Sequence, residues 1–466
     1  MKSNKDTDLL QRSFNHFWFS AVSLLILALV IILQEPVLLA LLFFATLLLW
    51  YSIHINFKYR DFHLVGFLIF SSIVLPPITA FPGPDIRVEE LFYFLVFPLL
   101  IIYREKPAGD RYLTYFSYSV LAFGAAIVLS LNYGKYFLGV PTSINDYFEL
   151  LKVLKLFIIV IAISRFKLSK QEIYRLLYIV VFSFLLSAFI GLLQFYGLFG
   201  FDRITAPYYF AERIFDIYNR MMGTFFNPNT YGTAVTLGII VTMVLFFYER
   251  SPGRKLFLVI SAGIFAFTIA LTQSRTALIV LLISFLSILF LNISRRQLSV
   301  KQITAILGFT TFLLLIIVSL LSEQIITRFI SLADISEDMS WNMRLLAWYL
   351  NMQLFFDSYL LGWGPAKIIH TSIVDSEYIL ILRRYGIIGF SIYILTYFIP
   401  IVRAYIMSRK EGIKELMGQI IVVGTLVFLI ANITNPLFHE IQFMDFWALM
   451  LGVFFALPLT ENESYT

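Results

Sequence analysis

The sequence predicts an all-helical, polytopic membrane protein that forms a single integral membrane domain over residues 1–466. Three observations predict this fold class. Hydrophobic residues make up 59% of the chain and charged residues 14%, whereas soluble domains are nearer a quarter charged. The apolar residues fall in runs long enough to cross a bilayer. Basic residues are concentrated in the short segments between those runs, as membrane insertion favours.

The apolar runs predict about fourteen transmembrane helices, each of which needs roughly 17–25 apolar residues. The predicted spans are 16–34, 37–55, 64–80, 89–103, 112–131, 152–164, 176–199, 232–249, 256–273, 276–292, 303–322, 386–404, 416–433 and 444–459. The first follows basic residues as in a signal peptide, but no small-residue cleavage site follows Leu33. We therefore interpret it as an uncleaved helix.

The charges of the loops predict the orientation of these spans. With the N-terminus inside, nearly every short inner loop is basic, as the positive-inside rule expects. An even number of spans then places residues 460–466 inside as well. Both termini are therefore predicted to be cytoplasmic.

A set of basic residues falls on the outer side, where it does not help orientation. These residues are Arg87, Lys135, Lys152, Arg203, Arg213, Arg220, Arg275, Arg328, Arg344, Lys367, Arg383 and Arg384. One interpretation is ion pairing of each residue with outer acidic residues or with anionic lipid. The other is a collective anion site, since the arginine fork matches phosphate oxygens.

Two polar stretches are predicted to be extracytoplasmic loops. The shorter one covers 200–231, and the large one covers 323–385, between the eleventh and twelfth spans. Within the large loop, Ser340 is a plausible N-cap for an amphipathic or re-entrant helix over 341–356. The run Gly362-Trp363-Gly364-Pro365 is expected to end that segment.

Several classes of chemistry find no support in the sequence. The chain has no cysteine, which excludes disulfides, thiol nucleophiles and cysteine-based metal sites. The familiar nucleotide-binding, zinc-protease and hydrolase signatures are missing. The net charge of +6 comes from loop residues, so it does not indicate nucleic acid. We predict no metal and no cofactor.

Candidate bases lie close together in the large loop. His370 follows the Gly-Trp-Gly-Pro break and precedes Asp375 and Glu377. A lone histidine in a loop is more often simply solvated. His370, Asp375 and Glu377, however, lie close in the sequence to the outer arginines. A base beside an anion clamp is the minimum equipment for displacing a phosphate leaving group.

Four segments resemble the O-antigen polymerase and O-antigen ligase superfamily of bacterial membrane glycosyltransferases. Each segment is weak alone, but their order and spacing over residues 200–400 are fairly specific. They are Gly223-Thr224-Phe225-Phe226-Asn227-Pro228-Asn229; Ser274-Arg275-Thr276-Ala277; Arg344 to Trp348 with Gly362-Trp363-Gly364; and Asp375-Ser376-Glu377-Tyr378-Ile379-Leu380 with Arg384-Tyr385-Gly386-Ile387-Ile388-Gly389.

The resemblance implies a GT-C-like helical fold that acts on the outer face of the bacterial cytoplasmic, or inner, membrane. Such proteins transfer glycan from an undecaprenyl-diphosphate carrier without an obligatory metal. The expected partners are the lipid-linked donor and acceptor and membrane lipid, with a chain-length regulator protein as a candidate. The ligase branch typically has histidine where this chain has Asp375. This difference favours a polymerase over a ligase.

The chemistry of such a transfer suggests roles for individual residues. Fixed cations would stabilise the departing diphosphate. The candidates for this role are Arg220, Arg275, Arg344, Arg203, Arg213 and Arg87. The candidate bases for the acceptor hydroxyl are Glu377, Asp375 and His370. Trp348, Trp363 and Tyr378 are candidates for stacking on sugar rings, although anchoring at the lipid headgroups explains each of them equally well.

Two other functions stay open on the sequence. An O-antigen ligase would pass glycan to a lipid A core or another acceptor. A transporter of lipid-linked oligosaccharides would also fit fourteen spans and outer arginines. Against transport, no two-half repeat is visible and the charges gather at one face.

Overall fold

The computed structural model describes residues 60–76, 87–105, 110–203, 220–293, 308, 339–370 and 374–459. Every element in these ranges is a helix. Among them, 7 helices are long and apolar enough to cross a membrane. The class of helical membrane protein is thus confirmed. The spans predicted at 16–34, 37–55 and all but one residue of 303–322 lie outside the described residues, so the number fourteen stays a prediction.

The described helices closely follow the predicted spans in the central part of the chain. They are α1 (Arg60–Val74), α2 (Val88–Leu91), α3 (Phe97–Tyr103), α4 (Arg111–Phe137), α5 (Ile144–Ser164), α6 (Lys170–Phe195), α7 (Pro228–Tyr248), α8 (Pro252–Thr272), α9 (Arg275–Ile293), α10 (Met339–Asp357), α11 (Glu377–Ser408), α12 (Ile413–Ala431) and α13 (Ile441–Phe455). A π-helical turn covers Phe92–Val96, and 3₁₀ turns cover Leu198–Gly200 and Leu437–His439.

The chain divides into two compact units. The first is Met1–Arg60 with Pro76–Leu91, and the second is Asp61–Leu75 with Phe92–Thr466. Helices α3 to α13 belong to the second unit.

Local sequence signals start the helices of the second unit. Asp110 caps α4 by accepting from the backbone N–H of Tyr112 at 2.9 Å. Ser143 and Asp146 form a capping box at α5. Asn227 caps α7, and Pro228 occupies its first turn, where the missing N–H costs nothing.

Helix α7 forms the core of the bundle. It is apolar all round, and nearly every side chain between Pro228 and Leu245 is buried. Helices α6, α8, α9 and α12 pack around it. A helix that is apolar all round is either a lipid-facing span or a buried core helix, and the burial of its side chains shows that α7 is enclosed by protein.

Side-chain contacts define two ends of the second unit. At one end Arg403, late in α11, donates to Asp110 before α4 at 2.7 Å and to the carbonyl of Phe454 in α13 at 2.9 Å. At the other end the start of α5 meets the start of α11 and the turn before α13, through Glu149, Glu377 and His439. We call these the opposite end and the cluster end.

The turn that follows α10 docks onto a break in α11. Gly386 interrupts α11 with φ of +62°, a conformation that favours glycine. The freed N–H of Ile387 donates to the carbonyl of Tyr359 at 2.8 Å. A Cβ at position 386 would lie 2.2 Å from the carbonyl oxygen of Leu360, so no larger residue fits. Helix α11 begins at Glu377, within the stretch 323–385 that was predicted to be loop.

Candidate functional site

A group of charged side chains surrounds Glu149 at the cluster end. The Glu149 side chain is fully buried, and Lys367 Nζ lies 2.6 Å from its Oε1. Lys152 Nζ lies 3.2 Å and Arg384 Nη1 3.5 Å from the same oxygen. His439 Nε2 lies 3.1 Å from Oε2. With Glu377, these residues form what we call the Glu149 cluster.

His439 bridges the two buried carboxylates of the cluster. Its Nδ1 lies 2.9 Å from Oε1 and 3.1 Å from Oε2 of Glu377, and the hydrogen bond is to Oε2. On the other side, Nε2 lies 2.7 Å from Arg384 Nη1. A neutral His439 therefore accepts from Arg384 and donates to Glu377, while an imidazolium would also donate to Glu149.

The Glu149 cluster carries a surplus of positive charge. Lys152, Lys367 and Arg384 contribute three positive charges, against two negative charges on Glu149 and Glu377. Glu440 follows His439, and burial, with a smaller contribution from the charge of Glu377, raises its pKa, which favours its neutral form. A buried surplus charge is costly unless an anion compensates it.

Backbone contacts hold Lys367 and Arg384 of the Glu149 cluster in place. The loop after α10 docks on the start of α5, because Lys367 donates its backbone N–H to Asp146 at 3.0 Å and its Nζ to the carbonyl of Asn145 at 2.8 Å. The carbonyl of Arg384 accepts from Gly364 at 2.8 Å and from Ser130 at 2.5 Å. These bonds fix the positions from which the two cations reach Glu149.

The cluster is partly open to solvent. The side chains of Lys152 and Lys367 are 22% and 27% exposed, whereas Glu149 and Glu377 are 0% exposed. A small anion can therefore reach the lysines without rearrangement of the buried carboxylates.

Arg220 lies eight residues before α7 and contacts the first turn of that helix. It donates to Asn229 Oδ1 at 2.6 Å and to the carbonyl of Thr272 at 2.7 Å. Thr230, which follows Asn229 in α7, hydrogen-bonds Glu440. Arg275, half-buried, is the first residue of α9, whose Thr276 bonds Thr434 at 2.6 Å. The structure thus places Arg220 and Arg275 at the cluster end.

Asp375 and His370 occupy different surroundings from Glu377. Asp375 accepts from Arg344 Nε at 2.8 Å, which ties α10 to the residues before α11. The ring of His370 packs edge-on against Trp363 at 5.7 Å. Burial lowers the pKa of His370, and the charge of Arg383 lowers it further, so His370 is neutral at pH 7. Of the three candidate bases, Glu377 belongs to the Glu149 cluster.

The remaining candidate cations are dispersed. Arg203 is exposed at the end of a described segment, and Arg213 lies outside the described residues. Arg87 belongs to the first unit, where its Nε donates to Glu89 at 2.5 Å. Their predicted role in binding diphosphate stays a prediction.

The aromatic candidates have polar contacts of their own. Trp363 Nε1 donates to the carbonyl of Leu354 at 2.7 Å, and the hydroxyl of Tyr378 donates to the carbonyl of Leu429 at 2.5 Å. Trp348 packs edge-on against Trp341 at 5.6 Å. Stacking on sugars stays a prediction for all three.

A second buried ion pair lies below the cluster. Lys155 Nζ and Asp445 Oδ1 are 2.8 Å apart and nearly inaccessible. They line a small cavity between α5 and α13, which Lys152 also borders. The charged face of α5 thus continues from Glu149 inward along the helix.

Sequence reasoning overlooked several members of the Glu149 cluster as site residues. Lys152, Lys367 and Arg384 were among the outer basic residues but were not chosen as site residues, and His439 was not among the candidates. Glu149 gave a usable signal, since it lies three and six residues before Lys152 and Lys155 on one helical face. Within the described ranges, no group of acidic residues and histidines has the arrangement of a metal site.

The bundle and its charged site define the chain as a helical membrane protein with a buried ionic cluster at one end. Residues 260–394 match the Wzy_C family, which is described as O-antigen ligase. The match confirms the resemblance to the O-antigen polymerase and ligase superfamily and supports a membrane function in polymerising or ligating glycans. No curated protein matches the chain. Lys367, Glu377 and Arg384 lie inside the matched segment, whereas Glu149 and His439 lie outside it.

Proposed function

We propose that the protein is a membrane glycosyltransferase that polymerises undecaprenyl-diphosphate-linked oligosaccharide units into O-antigen or a related polysaccharide. The observation that carries this proposal is the surplus positive charge of the Glu149 cluster. A diphosphate would compensate that charge. The family description supports the glycan as the group that is transferred.

Helix termini at the cluster end largely offset one another. Helices α5, α7, α9, α11 and α13 start there, whereas α4, α6, α8 and α12 end there. Positive N-termini and negative C-termini therefore lie side by side, and the attraction for an anion comes from the charged side chains. The exposed flank of the cluster at Lys152 and Lys367 is the side from which a diphosphate would enter.

Arg220 and Arg275 would stabilise the departing diphosphate. Both lie at the cluster end, where Arg220 contacts the first turn of α7 and Arg275 is the first residue of α9. Arg344 would approach from α10. Removing one preorganised donor from such a site costs about 100- to 1,000-fold in rate.

Glu377 is the base that the geometry favours. Of the three candidate bases it belongs to the Glu149 cluster, where His439 Nδ1 lies 2.9 Å from its Oε1 and 3.1 Å from its Oε2. In the proposed step, the acceptor hydroxyl oxygen attacks C1 of the donor sugar and the C1–O bond to the diphosphate breaks. The diphosphate leaves with the bonding electrons, and the hydroxyl proton passes to Glu377. His439 would stabilise either charge state of that carboxyl.

A ligase is the second candidate, and the family description favours it. It would use the same donor site and the same base but a different acceptor. In either case we propose that the cluster end faces the outer side of the bacterial cytoplasmic membrane. The basic inner loops support that orientation through the positive-inside rule.

The test is reconstitution with defined substrates. Purified protein in nanodiscs receives lipid-linked repeat units alone, in the presence of EDTA, and products are separated on a gel. A ladder of products supports a polymerase. Product that forms after a lipid A core is added, and never without it, supports a ligase instead.

Variants connect the product to the site. Arg275→Ala and Arg344→Ala should abolish chain growth, as should Glu377→Gln. Arg409→Gln is a matched control, since Arg409 is exposed at the opposite end. Normal polymer from both arginine variants would contradict the diphosphate clamp, and normal polymer from Glu377→Gln would exclude Glu377 as the base.

A further inference from the structure

Asn432 is a buried amide at the end of α12, between the elements that carry Glu377 and His439. It directly follows Ala431, the last residue of α12, and its side chain is inaccessible to solvent. Burying an amide costs free energy unless its donors and acceptors are hydrogen-bonded. The bonds that Asn432 makes therefore show which parts of the protein it connects.

The backbone of Asn432 anchors the helix that carries the proposed base. Helix α11 begins at Glu377, whose backbone N–H donates to the carbonyl of Asn432 at 2.9 Å. The first N–H groups and the last carbonyls of a helix have no partner within that helix. Here the start of α11 and the end of α12 satisfy each other, which fixes the backbone of Glu377 against α12.

The side chain of Asn432 holds the turn that carries His439. Its Oδ1 accepts from the N–H of Leu437 at 3.2 Å, a donor that is shared with the carbonyl of Asn435 at 3.0 Å. Leu437 is the first residue of the 3₁₀ turn that ends at His439. The Nδ2 of Asn432 donates to the hydroxyl of Tyr393 at 2.9 Å, and this bond fixes the orientation of the amide.

Aromatic packing joins Tyr393 to the same turn. The rings of Tyr393 and Phe438 lie 5.8 Å apart, and Phe123 packs against both at 5.6 and 5.8 Å. Phe438 immediately precedes His439, and their rings are 5.6 Å apart. Because protein interiors are close-packed, the amide, the tyrosine and the turn form one unit in which a change at Asn432 is felt at His439.

The residues after Asn432 also reach the start of α9. Thr434 hydrogen-bonds Thr276 at 2.6 Å, and Thr276 follows Arg275 in α9. Three parts of the proposed site therefore meet at one short turn: the base, the histidine beside it and the helix that carries a candidate cation.

We propose that Asn432 is a positioning residue for glycosyl transfer, which sets the placement of His439 relative to Glu377. The inference rests on the proposed function, because only there does Glu377 act as a base. The two bonds described above run from backbone N–H groups, so Asn432 acts on the elements and not on the reacting atoms. One residue thereby fixes both sides of the contact in which His439 Nδ1 lies 2.9 Å from Glu377 Oε1.

Asn432→Leu separates the two roles, because it deletes the side-chain bonds and keeps the carbonyl that anchors Glu377. In the ladder assay at varied concentrations of lipid-linked units, kcat should fall by about 10- to 100-fold, since a misplacement of about 1 Å can cost about 100-fold in rate. KM should be unchanged, because Lys367 and Arg220 are anchored by other residues.

A chemical readout that needs no turnover reports on His439 itself. Diethyl pyrocarbonate acylates accessible neutral histidines, and mass spectrometry of peptides gives the rate at each position. The side chain of His439 is 14% exposed and both ring nitrogens are engaged, so its labelling should be slow in the wild type. Asn432→Leu should speed up labelling of His439 several-fold and leave His370, which packs on Trp363, unchanged.

Further variants separate positioning from a general loss of packing. Tyr393→Phe removes only the hydroxyl that orients the amide, so it should act in the same direction but less strongly, and it decides the test if Asn432→Leu does not fold. Asn432→Asp keeps an acceptor for Leu437 and should retain slow labelling and most of kcat.

Asn292→Leu is the matched control. Asn292 is a buried asparagine near the end of α9, at the opposite end, where it donates to the carbonyl of Ile288 at 2.7 Å and accepts from Gln419 at 3.3 Å. This variant should change neither kcat nor the labelling of His439.

Three results would overturn the proposal. They are slow labelling of His439 in Asn432→Leu, faster labelling of His439 and His370 together, and unchanged kcat in a variant whose His439 is labelled faster. No ladder from the wild type would instead refute the proposed function and with it the role in transfer. The labelling rates would still show whether Asn432 holds His439 in place.

Discussion

Replacing Glu149 by glutamine removes the negative charge that four cationic or titratable side chains share. Lys367, Lys152, His439 and Arg384 all lie within 3.5 Å of its carboxylate oxygens. The variant leaves three fixed cations facing Glu377 alone. Removing one partner of a buried ion pair typically costs about 3–5 kcal/mol. We expect a loss in that range without ligand, reduced somewhat because Lys152 and Lys367 are partly exposed.

The same substitution should strengthen anion binding. In Glu149→Gln the cluster carries a second surplus positive charge. Added pyrophosphate binds the folded state alone, so it should stabilise this variant more than it stabilises the wild type. Thermal unfolding of purified protein, with and without pyrophosphate, measures both effects. Glu411→Gln is the matched control, because Glu411 is exposed at the opposite end. If Glu149→Gln has the same stability and the same response to pyrophosphate as Glu411→Gln, the reasoning is refuted.

Three further expectations concern pH, backbone and the opposite end. Between the ordinary pKa of a glutamate and the raised pKa of Glu440, the folded protein keeps a proton that the unfolded chain has lost, so stability falls as pH rises through that window. Glu440→Gln should remove that fall in a series of unfolding curves. Gly386→Ala should abolish polymer formation, because φ of +62° and the close carbonyl exclude a Cβ; Gly412→Ala, with φ of +66° and open space, should retain it. Arg403→Met should lower stability by about 3–5 kcal/mol, since it leaves Asp110 buried without its partner, while lipid binding by folded protein is unchanged.

Apolar runs predict most of the described helices because lipid-facing helices must be apolar throughout. The span predicted at 112–131 lies within α4, and that at 256–273 matches α8 closely. Helix α5 shows the limit of this reasoning. Its predicted span started at 152, but the helix begins at Ile144. Its first turns carry Asp146 and Glu149, which appear polar in sequence and are buried by contacts with distant residues.

The start of α11 was misjudged for a similar reason. The span was predicted from 386, but the helix begins at Glu377 and passes through the break at Gly386. Two adjacent charged residues, Arg383 and Arg384, predict a loop as long as the residues that contact them in space are unknown. In the structure, Asn351 and Glu149 provide their contacts.

The site itself depends on contacts that no local pattern encodes. Glu149, Glu377 and His439 come from three distant parts of the sequence and meet only in the folded bundle. Sequence reasoning reached Glu377 because it lies in a family-like segment. It reached Lys152, Lys367 and Arg384 only as outer cations that orientation did not explain.

The ion pair between Lys155 and Asp445 has a consequence for biogenesis. A lysine or aspartate at the centre of an inserting helix costs about 2.5–3.5 kcal/mol on translocon scales. Helix α5 also carries Glu149 and Lys152, so on its own it is a poor substrate for insertion. Its partner, α13, is the last helix that the structure describes, and the ribosome completes it long after α5. Stable integration of α5 should therefore wait for α13, and chains truncated before Ile441 should leave α5 open to quality-control proteases.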